Sequence, residues 1–128
     1  MRHPDDPHRT ILVAEDSIET LTLYSIVVER MGYTSLKARS LDEAYQYLDE
    51  TADLDLILLG TYLDGQMYTD TVYKLRQHPA AAHLPILVAS HRTNPETLIA
   101  AFEMGVTDVL PSPVMIPELM NVIQRYIG

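Results

Sequence analysis

Short apolar segments alternate with longer segments of helical period along most of this chain. Apolar side chains fill most positions of each short segment, a pattern typical of strands buried on both faces of a parallel sheet. We therefore predict five strands, over residues 11–14, 34–38, 54–59, 86–89 and 109–110.

Five segments of helical period follow these strands. Ser17 as the N-cap and Gly32 as the stop bound the first helix, predicted over residues 18–31. Ser40 begins the second helix with a capping box, in which Glu43 reaches back to the Ser40 amide. The remaining helices are predicted over residues 68–77, from Asn94 and Pro95 to Gly105, and from Pro117 onwards.

Strand–helix alternation repeated five times predicts a doubly wound α/β domain, with a parallel sheet covered by helices on both faces. Residues 1–9 contain charges, His and Pro, and are predicted to form a flexible arm before a single domain of residues 10–128. The predicted core comprises Leu12, Val13, Leu56, Ile57, Leu58, Leu87, Val88 and Val109 from strands, with Leu21, Tyr24, Val28, Leu98, Phe102, Leu119 and Ile123 from helices.

Composition excludes several classes of function. The 128 residues correspond to one domain, and nine Lys and Arg against eighteen Asp and Glu give a net charge of −9, which disfavours binding to nucleic acid. The absence of cysteine excludes disulfides and Cys-ligated metals. No apolar run is long enough to span a bilayer and no signal peptide opens the chain, so we expect a cytoplasmic domain that binds no membrane.

Polar residues follow the predicted strands at the edge where doubly wound sheets place their ligands. Strand one ends at Glu15-Asp16, strand three at Gly60-Thr61-Tyr62, strand four at Ser90-His91, and strand five at Pro111-Ser112-Pro113. Adjacent carboxylates suit Mg²⁺, although Asp16 or Ser17 could equally serve only as a helix cap. A flavin or nucleotide site is disfavoured because two negative charges stand where its phosphate would lie.

Several motifs together resemble the receiver domain of two-component response regulators, over nearly all of residues 10–127. These are ILVAEDS (11–17), MGY (31–33), DLDLILLG (53–60), LPILVAS (84–90) and GVTDVLPSP (105–113). The resemblance implies a flavodoxin-like sheet in the order 2-1-3-4-5. It also implies a chemistry in which a histidine kinase transfers a phosphoryl group to an aspartate, with help from Mg²⁺.

The residues that carry this chemistry are only partly present. Gly60 stands at the position of the phosphoacceptor aspartate, and Ser112 stands at the position of the lysine that steadies the acyl phosphate. Val109 replaces the aromatic switch residue. The family's acidic pair is kept as Glu15 and Asp16, its hydroxyl residue as Ser90, and its proline as Pro113, whose preceding peptide bond the resemblance predicts to be cis.

We therefore predict a degenerate pseudo-receiver that is not an enzyme, has no catalytic residue and needs no cofactor. Glu15 and Asp16 would bind Mg²⁺ weakly at most, and their mutual repulsion should raise one pKa. The alternative is a phosphorelay receiver that uses an atypical acceptor. Asp64 is the nearest carboxylate, but the Asp64-Gly65 pair favours a tight turn.

Without phosphotransfer, any output must pass through contacts with a signalling protein (a histidine kinase, a response regulator or an output protein) or with a second copy. Leu23 and Ile26 project from the predicted outer face of the first helix among charged residues, which is typical of a small interface centre. A competing surface, on the fourth and fifth helices, presents Glu96 and Glu103 and is expected to offer little apolar area.

Overall fold

The computed structural model describes residues 8–128, and the predicted parallel sheet is confirmed there. Residues 1–7 of the predicted arm lie outside the described residues. The strands of the main sheet are β1 (Thr10–Ala14), β2 (Thr34–Ala38), β3 (Leu56–Leu59), β6 (Ile86–Ser90) and β7 (Asp108–Pro111). Two further strands, β4 (Tyr62–Leu63) and β5 (Gln66–Met67), form a separate hairpin.

Helices cover both faces of the sheet. They are α1 (Ile18–Arg30), α2 (Leu41–Glu50), α3 (Tyr68–Arg76), α4 (Pro95–Met104) and α5 (Ile116–Ile127), with a short 3₁₀ helix at Pro79–Ala81. Among the described residues, none of these helices has the length and apolar character needed to cross a membrane.

The order of the main sheet is β2-β1-β3-β6-β7, with every neighbouring pair parallel. Counting only these five strands, this is the expected order 2-1-3-4-5. The order reverses between β1 and β3, where Ala14 at the end of β1 pairs with Leu59 at the end of β3. Glu15 and Gly60 are the next residues of the two strands, so the register brings them together at the switch point.

Helix caps follow the sequence closely, with one correction. The Ser17 hydroxyl accepts from the Thr20 amide at 3.4 Å, and the Ser40 hydroxyl accepts from the Glu43 amide at 3.1 Å. The Glu43 carboxylate, however, accepts from the Arg39 amide at 3.0 Å, not from the Ser40 amide as predicted. The backbone of Ser40 is extended, with φ −147° and ψ 162°. The amide of Arg39 therefore faces the Glu43 carboxylate in the first turn of α2.

Helix ends are also close to prediction. Gly32 and Gly105 have φ of 86° and 110°, left-handed values that suit glycine and end α1 and α4 as expected. Asn94 precedes α4, but its side chain accepts from the Thr97 hydroxyl at 2.6 Å and caps no backbone amide. Helix α5 begins at Ile116, one residue before the predicted start.

The core forms two layers, one on each face of the sheet. Most of the predicted core residues are buried, but Leu98, Phe102 and Val109 are not. Helix α4 turns the fully buried Ala101 inward, because a small side chain lets the helix lie close to the core. This rotation leaves Phe102 51% exposed. Val109 is half-buried on β7, which lies at an edge of the sheet.

The β4–β5 hairpin was not predicted. Its two-residue turn is Asp64-Gly65, and both residues have positive φ, of 54° and 71°. The turn itself is therefore as expected from the sequence. The strands escaped prediction because each contains only two residues, too few to show an alternating pattern.

Candidate functional site

A cleft of about 530 Å³ opens at the carboxyl edge of the sheet, bordered by α1, the hairpin and the segment that follows β7. Four of the predicted site residues line it together: Glu15, Asp16, Ser112 and Pro113. The bond between Ser112 and Pro113 is cis, as the resemblance implied. Strand ends thus converge on one site, but Gly60 and Ser90 do not reach the cleft surface.

Glu15 is folded inward and only 8% exposed. One oxygen of its carboxylate accepts a short hydrogen bond from the Ser17 amide. The other oxygen lies directly against Gly60. A Cβ atom at residue 60 would overlap that oxygen and would lie 2.6 Å from Cδ and 2.9 Å from Cγ of Glu15. The Glu15 side chain therefore fills the space into which any side chain at position 60 would point.

The backbone of Gly60 does not itself require glycine. Among the glycines with positive φ are Gly32, Gly65 and Gly105, but Gly60 is not one of them. Its amide donates to the carbonyl of Ala14 at 3.0 Å, as a regular continuation of β3. Position 60 needs glycine because the Glu15 side chain occupies the space where a Cβ atom would lie.

Asp16 anchors the hairpin. Its carboxylate accepts from the amides of Asp64 at 2.8 Å and Gly65 at 3.2 Å, and its own amide donates to the Tyr62 carbonyl at 3.2 Å. The Arg39 guanidinium donates to the main-chain carbonyl of Asp16 at 3.1 Å. Both carboxylate oxygens of Asp16 are thus occupied by backbone donors of the turn.

The electrostatics of Glu15 agree with the expectation that one acidic pKa is raised, but the main cause differs. Burial raises the pKa of Glu15 most strongly, the amide of Ser17 opposes that shift, and the charge of Asp16 adds a smaller increase. No described Lys or Arg forms an ion pair with either acid. Desolvation, more than repulsion between neighbours, therefore destabilises the charged form.

Glu15→Gln should stabilise the protein at neutral pH. Because the pKa of Glu15 is raised in the folded state, ionising it costs stability as pH rises above its ordinary value of 4.5. The advantage of glutamine should therefore shrink as the pH falls from neutral towards 4.5, and it should be absent below 4.5, where the carboxyl group is protonated in both the folded and the unfolded state. Urea unfolding across this range measures the effect, with Glu29→Gln on the exposed face of α1 as the control for loss of one charge. An advantage independent of pH would contradict the explanation.

Ser90 lies behind the cleft, fully buried. Its hydroxyl accepts from the Thr61 hydroxyl and from the Arg92 amide, both at 2.9 Å. Thr61 stands between Ser90 and the cleft, which explains why this predicted site residue does not line it. The hydroxyl is therefore committed to internal hydrogen bonds.

The arrangement does not fit a Mg²⁺ ion. This cation requires about six oxygen ligands in near-octahedral geometry, usually with one or two carboxylates free to bind it. Here Asp16 is engaged by two amides and Glu15 by the Ser17 amide, and Gly60 supplies no oxygen from a side chain. Within residues 8–128 no group of three His, Cys, Asp or Glu side chains is placed to hold a metal.

Some lining residues were missed as members of the site. Thr61, Tyr62 and His91 line the cleft, and Arg39 contacts its acidic corner. The sequence places the first three just after strand ends, at the expected edge of the sheet, but the predicted pocket did not include them. Arg39 belongs to no motif, and only the tertiary structure brings it beside Asp16.

Comparison with known proteins agrees with this fold. The chain is 25% identical over 117 residues to a two-component response regulator of rice, ORR12, covering 91% of this chain and 95% of that protein. The structure superposes on chemotaxis protein CheY4 of Vibrio cholerae with a TM-score of 0.85, at 24% identity, covering 93% of this chain and 98% of that one.

A third relative, the receiver domain of the sensor histidine kinase PA1611 of Pseudomonas aeruginosa, was crystallised with a magnesium ion coordinated in its active site cleft. It superposes with a TM-score of 0.81 at 21% identity, covering 94% of this chain and 98% of that one. The sequence profile of the response regulator receiver domain matches residues 11–124. The chain therefore belongs to the response regulator receiver domain family.

Proposed function

We propose that this receiver domain transmits signals by protein contact and does not accept a phosphoryl group. Receiver domains are signalling modules that interact with histidine kinases and other signalling proteins. The observation that carries the proposal is the pairing of Glu15 with Gly60: the acceptor position has no side chain, and a neighbouring carboxylate occupies its space. Ser112 stands at the lysine position, so none of the described residues that line the cleft is a Lys or Arg that could steady an acyl phosphate.

The contacts of Asp64 argue against it as a substitute acceptor. Its carboxylate accepts from the Leu41 amide at 2.8 Å, at the start of α2, and it does not line the cleft. Ser112 does line the cleft, but among the described residues its hydroxyl forms no hydrogen bond to a base that could activate it. Neither Asp64 nor Ser112 therefore has surroundings that favour a role as the acceptor in the phosphorelay alternative.

The proposal is tested by adding Mg²⁺ together with beryllofluoride, a stable mimic of a bound phosphoryl group, to the isotope-labelled protein. NMR should show no saturable shift at the amides of Asp16, Thr61 and Ser112, because Gly60 supplies no carboxylate to bind beryllofluoride and to complete the ligands of the cation. A saturable shift centred on these three amides would contradict the proposal.

We propose further that α1 supplies the contact surface. Leu23 and Ile26 are 47% and 45% exposed, and the exposed Glu19 and Arg30 border them. Leu23 also lines the cleft, so the surface continues into the degenerate site. An apolar centre with a charged rim is typical of protein interfaces.

The competing surface on α4 is more apolar than the sequence indicated. Ile99 and Phe102 are 60% and 51% exposed, beside the exposed Glu96 and Glu103. The expectation of little apolar area was wrong because α4 is rotated to bury Ala101 in place of Phe102. Both surfaces therefore enter the same test.

Ile26→Asp should abolish association with the partner or with a second copy, because it places a charge at the interface centre. Phe102→Asp is the matched control, since both side chains are about half exposed and neither change disturbs the core. Glu103→Arg adds a change of charge on α4. Light scattering measures association with a second copy, and a pull-down measures binding of the partner. If association stays intact after Ile26→Asp but is lost after Phe102→Asp or Glu103→Arg, the contact surface lies on α4 and not on α1.

A further inference from the structure

The tip of the hairpin carries a chemically labile pair of residues. Asp64 is followed by Gly65, and no other Asp-Gly pair occurs in the chain. Glycine has no side chain to hinder attack of its amide nitrogen on the carboxyl carbon of the preceding aspartate. Both residues are exposed, and Asp64 has φ of 54°, in the left-handed region that residues other than glycine rarely adopt. The turn thus combines a labile pair, access to water and a strained backbone.

The reaction open to such a pair is isoaspartate formation. The nitrogen of Gly65 loses its proton and bonds to the side-chain carboxyl carbon of Asp64, while one carboxyl oxygen leaves as water. Water then opens the resulting succinimide ring at the former main-chain carbonyl carbon, which becomes a carboxylate. One water is released and one is consumed, so the mass is unchanged and no other reagent is needed. The main chain now runs through the side-chain carbons of residue 64.

Hydrogen bonds to two other elements engage both reacting groups. The Asp16 carboxylate accepts from the amides of Asp64 at 2.8 Å and Gly65 at 3.2 Å. The Asp64 carboxylate accepts from the Leu41 amide at 2.8 Å, at the start of α2. Ring closure requires the Gly65 nitrogen to give up Asp16 and the Asp64 carboxyl group to turn from Leu41 towards its own main chain. Each contact therefore opposes the reaction.

We propose that Asp64 is a site of isoaspartate formation, and that Asp16 and the start of α2 set its rate by holding the hairpin tip. The modification lengthens the main chain of the turn by one carbon and removes the side-chain carboxylate that binds Leu41. The two amides bound by Asp16 also lose their present spacing. Modification therefore detaches the hairpin from β1 and α2, and it exposes the Asp16 carboxylate, which lines the cleft.

Asp16→Ala tests the first attachment. Incubation in a mildly acidic buffer should produce isoaspartate at residue 64 about tenfold faster than in the wild type, as for the loss of one hydrogen bond to a charged group. Glu29→Ala removes an exposed acid from α1 and is the control for the change of charge, so its rate should stay unchanged. Peptide mapping with endoproteinase Asp-N, which cuts before aspartate but not before isoaspartate, measures the modified fraction.

Leu41→Pro tests the second attachment and leaves Asp16 in place. Leu41 is the first residue of α2, where proline is tolerated, and Ser40 before it has the extended backbone that proline favours. Proline removes the amide that binds Asp64, so the rate should again rise about tenfold. Leu41→Ala shortens the same side chain but keeps the amide, and this matched control should modify at nearly the wild-type rate.

The wild-type chain unfolded in guanidinium chloride gives the rate without these contacts, which should exceed the folded rate at least about tenfold. Urea unfolding shows whether a variant has lost its fold, in which case the other variant decides. The proposal is wrong if the folded and unfolded wild type react equally fast, or if neither Asp16→Ala nor Leu41→Pro accelerates the reaction. Slower modification of Asp16→Ala would also contradict it, because Asp16 would then assist the attack as a base.

Discussion

Gly60→Ala is expected to lower the free energy of unfolding by about 3 kcal/mol, at the upper end of the cost of forcing a methyl group into filled space. The added Cβ would lie 2.6 Å from Cδ of Glu15, so the Glu15 side chain must leave its buried position. Leaving also breaks its hydrogen bond from the Ser17 amide. Gly60→Asp should cost at least as much, because it adds a carboxylate next to Glu15 and Asp16.

The Glu15→Ala background is the control for this prediction. Removing Cγ, Cδ and both oxygens of Glu15 clears the space at position 60, so Gly60→Ala should then cost less than about 1 kcal/mol. Urea unfolding of the wild type, both single variants and the double variant measures the coupling. An equal cost of Gly60→Ala in both backgrounds would show that Glu15 is not the reason for glycine.

Phosphorylation should not return when the acceptor alone is restored. Gly60→Asp supplies a carboxylate, but it displaces Glu15 and adds a third acid to a site whose described lining has no positive charge from Lys or Arg. Ser112 lines the same cleft, so Ser112→Lys would supply that charge. We expect the protein with both changes to gain a phosphoryl group from acetyl phosphate and Mg²⁺, and Gly60→Asp alone to gain little.

Intact mass, followed by mapping of the modified residue, measures this gain. Ser112→Lys in the presence of Gly60 is the control, because it adds the cation without an acceptor and should remain unmodified. Efficient phosphorylation of the Gly60→Asp variant alone would show that phosphorylation does not require a lysine at position 112.

Much of the fold could be predicted because local signals agree with tertiary packing. Ser17 and Ser40 begin their helices, Gly32 and Gly105 end theirs, and the apolar segment 56–59 lies fully within the sheet. Helix α4 is the exception. Its apolar residues suggest a buried stripe through Leu98 and Phe102, yet close packing of the small Ala101 decides which face turns inward.

The sequence predicts which residues form the candidate site, but it does not predict the contacts that their side chains make. Strand order and register bring Glu15, Asp16 and Gly60 to one edge, and that follows from the alternation of strands and helices. The inward turn of Glu15 and the engagement of Asp16 with the hairpin depend on side-chain conformation and on a hairpin too short to show in the sequence.

Glu15 and Gly60 are best understood as a compensating pair. Gly60 has no side chain to fill the space beside it, and the Glu15 side chain occupies that space. The remaining acid, Asp16, acquires a structural role as the anchor of the hairpin. Under the proposed function, this site serves as a hydrogen-bonded corner that holds the hairpin and not as a site of phosphotransfer.

Intact-mass measurement after incubation of the wild-type protein with acetyl phosphate and Mg²⁺ tests the central claim most directly. The doubly restored protein, with Gly60→Asp and Ser112→Lys, runs beside it under the same conditions. The account predicts an unchanged wild-type mass. A single gain of about 80 Da, the mass of one phosphoryl group, mapped to one Asp or Ser of the wild-type chain would contradict it.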